Sequence, residues 1–149
     1  MNSNSFSPAS SSITILHERA EQAAQLMNRF CSLLLEQQRQ AWLDLFDEDV
    51  IFEFPYAHTL DNPRLEGKQA LAQHMLYFDT IISMQHMSQP LIHQTLNPHI
   101  FIAQFHGRGQ LLQSGHVYDQ HYISVVEVKD GRILRYEDYW NPLAIDVSS

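Results

Sequence analysis

Apolar positions recur at two periods along this chain, and the change of period divides it. From Thr14 to about Glu36, Leu16, Ala20, Ala23, Met27, Phe30 and Leu34 come at spacings of four and three. That spacing predicts an amphipathic helix of about six turns. After the polar break EQQRQ, the segment AWLDLFDEDV carries Trp42, Leu45 and Phe46, a short second helix ended by its acidic turn. VIFEFPY then alternates, so Val50, Phe52 and Phe54 share one face of a strand that Pro55 closes. Residues 57–66 have no period and contain Asn62-Pro63, which predicts a loop; its histidine, His58, reads as solvated at the mouth of any pocket. Helical spacing returns from Gly67, where Leu71, His74, Met75 and Phe78 fall on one face and turn His74 inward.

The second half alternates throughout. PLIHQTL, HIFIAQFHGRGQLL, VYDQHYISVVEV and RILRYEDYWNP are separated by Asn97-Pro98, Gln113-Ser114-Gly115 and Lys129-Asp130-Gly131, the punctuation of a four-stranded antiparallel meander. Gly107 and Gly109 inside the longest strand predict a bulge or bend that curls the sheet. The fold class expected is α+β: a cone-shaped curved sheet, antiparallel or mixed, covered on one face by three helices from the N-terminal half. In the last strand, parity puts Leu134, Tyr136, Asp138 and Trp140 together and Ile133, Arg135, Glu137 and Tyr139 opposite. One carboxylate thus sits in a row of large apolar groups. A buried carboxylate needs a partner, because without one it costs several kcal/mol.

Composition narrows the possible partners. The 149 residues suit one domain, expected over residues 13–149 behind a flexible tail at 1–12. Lys+Arg 9 against Asp+Glu 17 gives a formal charge of -8 with no basic cluster, so neither nucleic acid nor an anionic membrane is an expected partner. No run of 18 apolar residues exists to span a bilayer. Cys31 is the only cysteine, which excludes an intrachain disulfide and fits a reducing cytoplasm, and MNSNSFSPASSS lacks the basic start and apolar run of a secretory signal. Nine histidines raise the possibility of a metal. Those at 86, 93, 99, 106, 116 and 121 form no HxH or helical i, i+4 pair, so no metal site is expected.

The order of elements, with LFDEDVIFEFP, EGKQALAQH and EVKDGRILRYEDYWNP, resembles the nuclear transport factor 2-like superfamily, and the resemblance covers nearly everything after residue 14. Aligning RFCSLL, EFP and DYW with the ketosteroid isomerase pattern puts Phe30, Phe54 and Ser124 where those enzymes carry a Tyr, a base Asp and a protonated Asp. All three functional groups are replaced, so isomerase chemistry of that kind is not expected. EGKQALAQH, DQHY, EVKDGRI and EDYWN are more similar to the phenazine-biosynthesis PhzA/PhzB proteins and the SnoaL-like polyketide cyclases. That similarity implies that His74 and Asp138 are the acid/base pair.

Phe30, Trp42, Phe54, Tyr56, Phe78, Tyr122 and Trp140, with Ser124, are the candidate lining of a pocket for a small, flat, hydrophobic molecule. The expected activity is cofactor-free isomerisation, cyclisation or condensation of a secondary-metabolite-like compound. A non-catalytic dimeric binding module on the same fold is the alternative. Ile123, Val125, Ile133 and Tyr139 fall by parity on the uncovered face, and the resemblance implies a homodimer through it.

Overall fold

The computed structural model describes residues 8–57 and 63–145, so His58 lies outside the described residues. The helices are α1 (Pro8–Leu35), α2 (Arg39–Leu43) and α3 (Lys68–Ile81). The strands are β1 (Phe46–Glu53), β2 (Arg64–Glu66), β3 (Ile82–Met87), β4 (Leu91–Gln94), β5 (Ile100–Leu111), β6 (Val117–Lys129) and β7 (Arg132–Trp140). Together these strands form one sheet in the order β2-β1-β7-β6-β5-β3, with β4 paired to β5 beside β3. All pairings are antiparallel except β1 with β7, so the expected α+β arrangement is realised as an open, curved, mixed sheet with helices over one face. No described helix is long and apolar enough to cross a membrane.

Several elements depart from the periodic reading. α1 starts at Pro8, inside the stretch expected as a tail. α2 stops at Leu43, and Phe46 with the acidic run belongs to β1. There the register to β7 jumps from Phe46↔Ile133 to Ile51↔Arg135, and the Asp49 N–H turns back to Asp47 Oδ1 at 2.9 Å. The acidic triplet is therefore a bulge in a strand, which sequence spacing reads as a helix end. β2 occupies the end of the expected loop, and β3 was not foreseen. Its lack of a flanking turn explains that: α3 ends at Ile81 and β3 begins at Ile82, so no polar punctuation separates them.

The β6–β7 turn uses Asp130 and Gly131 at φ +52° and +77°, the left-handed pair that a tight two-residue hairpin requires. Just beyond it the register moves from Val128↔Ile133 to Glu127↔Arg135, leaving Leu134 as the extra residue of a bulge. This corrects the simple parity at the start of β7. Ile133 is fully buried in the core rather than on the open face, and Leu134 loses its inward place. Beyond the bulge the expected parity holds, with Tyr136, Asp138 and Trp140 inward. The expected irregularity at Gly107 and Gly109 lies on the β3 side of β5, where the register moves from Met84↔Gly109 to His86↔Arg108 and leaves Gln85 as the extra residue, while β5 and β6 pair without a break from Ile100↔Glu127 to Gln110↔Val117.

The core is an aromatic stack. Tyr136 lies flat between Phe30 (centroids 5.3 Å, 4° between planes) and Phe52 (4.6 Å, 8°), and Trp42 and Phe46 close the side at 4.6 Å from each other. Such pairs add about 0.5–1.5 kcal/mol each beyond their area.

Candidate functional site on the concave face

Residues directly opposite one another across strands point to the same face, about 4.5–5.5 Å apart. Reading the register across the sheet gives three inward rows. The first is Phe52, Tyr136, Val126 and Phe101; the second is Asp138, Ser124, Ala103 and Ile92; the third is Trp140, Tyr122 and Phe105. Across β6 and β5 the row of Asp138 carries the small, buried side chains of Ser124 and Ala103, with Ile92 beyond them on β4, while the flanking rows carry aromatic rings. Asp138, Tyr122 and Trp140 keep partial exposure although they face inward, as do His74 and Phe78 on α3.

Asp138 Oδ1 is buried without a hydrogen-bond partner, and so is Nε1 of Trp140 two residues on. Groups of this kind cost about 1–3 kcal/mol each when left unpaired. Burial pushes the Asp138 carboxyl up to about 7, so near neutrality it is substantially protonated and able to donate. The phenols around it respond to the same environment. Burial takes Tyr118 to about 12, and burial first and the Asp138 charge after it raise Tyr136. Tyr118 and Tyr122 share a hydroxyl–hydroxyl bond of 2.7 Å, and Ser124 Oγ donates to the Tyr136 hydroxyl at 2.6 Å. Gln120 donates to the Asn141 carbonyl at 3.0 Å and accepts from its N–H at 2.8 Å, fixing the chain just past Trp140.

His74 is half-buried on α3, its ring 4.9 Å from that of Phe54, and burial lowers its pKa. Among the described residues no hydrogen bond or ion pair joins His74 to Asp138. Burial favours the neutral form of each, the imidazole able to accept a proton and the protonated carboxyl able to give one.

The other candidate residues divide by place. Phe54, Phe78, Tyr122, Ser124 and Trp140 belong to the concave side with Asp138. Phe30 and Trp42 are spent on the core stack, at 4% and 1% exposure. Tyr56 is exposed and packs edge-on against Tyr139, at 5.2 Å, which belongs to the outer face. Sequence reading missed Tyr118 and Gln120, although the period-two run 118, 120, 122, 124 was there to find them. It also missed the outer-face group His106, Asp119 and His121, because strand pairing rather than chain spacing brings these together.

Comparison with known proteins agrees with this architecture. Residues 27–136 match the SnoaL-like domain. The protein YesE of Bacillus subtilis is 36% identical over 131 residues, covering 88% of this chain and 89% of its own. A PhzA/B-like protein of Pseudomonas aeruginosa is 35% identical over 121 residues, covering 81% and 85%. A crystal structure from B. subtilis that carries a provisional isomerase designation superposes with a TM-score of 0.81 at 36% identity, covering 85% of this chain and 91% of that one. At the level of fold alone, a Mycobacterium tuberculosis protein crystallised with estradiol-17β-hemisuccinate is 16% identical, with a TM-score of 0.69, covering 83% and 96%. With its period-two concave face, its helical cover and these matches, the chain belongs to the SnoaL-like domain family of the nuclear transport factor 2-like superfamily.

Proposed function

We propose that the chain is a cofactor-free acid/base enzyme that binds a small, flat, hydrophobic molecule on the concave face and isomerises, cyclises or condenses it. The observation that carries this reading is Asp138, an inward carboxyl with no internal partner and a pKa raised to about 7, directly opposite the small side chain of Ser124. A ligand carbonyl or hydroxyl is the partner the carboxyl lacks. The aligned isomerase acid falls at Ser124, and Asp138 is the residue directly opposite it, so a carboxyl is offered beside that position from the neighbouring strand. His74 beside Phe54 supplies a neutral base on the opposite, helical wall. Ring stacking on Trp140, Tyr122 and Phe105 would orient the molecule, and positioning of this kind contributes much of the rate in such sites. Because the acid must be protonated, turnover should fall as pH rises through about 7.

A second reading, a binding module without turnover, draws on the missing bond between His74 and Asp138. Both readings are tested with estradiol-17β-hemisuccinate as a flat-ring probe and with a metabolite extract as a substrate source. Probe binding should weaken in Trp140→Ala, which removes a partly exposed ring from the proposed wall. Conversion of an extract component, followed by mass, should vanish in Asp138→Asn. Binding without any conversion by the wild type would leave only the module, and binding unaffected by Trp140→Ala would overturn the placement of the pocket. Pairing of two copies through the outer face, where Leu91 and Ile123 stand 58% and 44% exposed, belongs to the same proposal.

A further inference from the structure

On β6, Asp119 and His121 are separated by one residue and so share a face, the outer one, opposite to Tyr118, Gln120 and Tyr122. Strand β5 places His106 directly across from His121. The result is three donors, one from each side chain, all within 4.8 Å of one another. His106 Nε2 already contacts Asp119 Oδ1, and the rings of His106 and His121 stack at 4.6 Å. We propose that His106, Asp119 and His121 form a binding site for a divalent first-row transition metal of the zinc class on the outer face of the sheet.

Two imidazoles and one carboxylate suit zinc and its neighbours better than magnesium or calcium, which take oxygen ligands. A tetrahedral centre with bonds of about 2.0–2.1 Å needs donors about 3.4 Å apart. The present spacing reaches that by small side-chain rotations, because the backbone already sets the three residues side by side. That backbone is held firmly at His106, whose N–H donates to Ser88 Oγ at 2.8 Å while its carbonyl accepts from the Ser88 N–H at 2.8 Å. The proton bridging His106 and Asp119 is what the ion would displace. Three protein ligands leave the remaining positions to water. Arg108 lies opposite Asp119, with His86 opposite Arg108 on β3, and the guanidinium opposes cation binding. Arg108→Gln should therefore tighten it. The inward parity of Asp138 places this group on the other side of the sheet, so the inference stands apart from the proposed catalytic reading.

Metal-depleted protein titrated with zinc chloride in a calorimeter should take up one ion per chain. Cobalt chloride should give visible absorption of a low-symmetry centre. His106→Ala, His121→Ala and Asp119→Asn should each weaken zinc at least ten-fold, whereas His93→Ala, on the same face but bonded to Gln104, should leave it unchanged. Circular dichroism checks that the variants keep their fold, and all three ligands are surface side chains. Absence of zinc uptake by the wild type, or wild-type affinity in the His106→Ala/His121→Ala double variant, would overturn the site.

Discussion

Asp138 is the residue at which stability and function oppose one another. An unfolded carboxyl titrates near 4, while in the fold it does so at about 7. Between those values the native state holds a proton that the unfolded chain has released, so stability falls as pH rises from about 4 to about 7 and then levels off. The raised pKa corresponds to a few kcal/mol, of the order of 1.4 per unit. Asp138→Asn removes this term. Urea unfolding of both proteins should give similar midpoints near pH 4, and the variant should become the more stable by pH 8. A gap that does not change with pH would mean that the carboxyl is solvated in the fold. The odd position of this residue was legible from parity alone, whereas its lack of a partner was not, because partners come from other strands.

At the level of elements, the two glycines of β5 sit beside the irregular stretch of β3 and serve it differently. A Cβ at Gly109 would lie 2.2 Å from the Ser83 carbonyl oxygen, which is backbone of β3 and cannot move without breaking the pairing. At Gly107 the nearest atoms are side-chain ones, Tyr122 Cε2 at 3.1 Å and Met84 Sδ at 3.2 Å. Gly109→Ala should therefore lower stability by about 1–3 kcal/mol in denaturant unfolding, and Gly107→Ala by distinctly less. Equal effects would show that β3 is not held to β5 here. The long helix, the short strand at 50–54 and the three late hairpins were legible, each having a period and a turn signal. β3 had neither, and the bulges at Asp47–Asp49 and Leu134 were invisible because a bulge is defined by what lies opposite it.

For the whole molecule, the open face of the sheet raises the question of assembly. Leu91, Ile123 and Tyr139 fall in one outer row across β4, β5, β6 and β7, joined by Gln104, and the row beside it holds Ile102 and Val125. Apolar surface of that extent on a sheet normally meets another surface. A two-fold pairing presents the same patch twice, so one charge introduced into it is felt twice. Sedimentation of the wild type should give a dimer, and Ile123→Glu should give a monomer with an unchanged circular dichroism spectrum. A monomeric wild type at working concentrations would remove the dimer from the proposal.

By itself the sequence determined the succession of helices and strands, the inward parity of Asp138 and the helical face of His74, because periodicity and turn chemistry are local properties of the chain. Only the tertiary structure decided which rows those residues join. It placed the small pair Ser124 and Ala103 beside the carboxyl, spent Phe30 and Trp42 on the core, moved Tyr56 outward and set His106 against His121. Register and bulges fix these relations, and both depend on contacts between segments far apart in the chain.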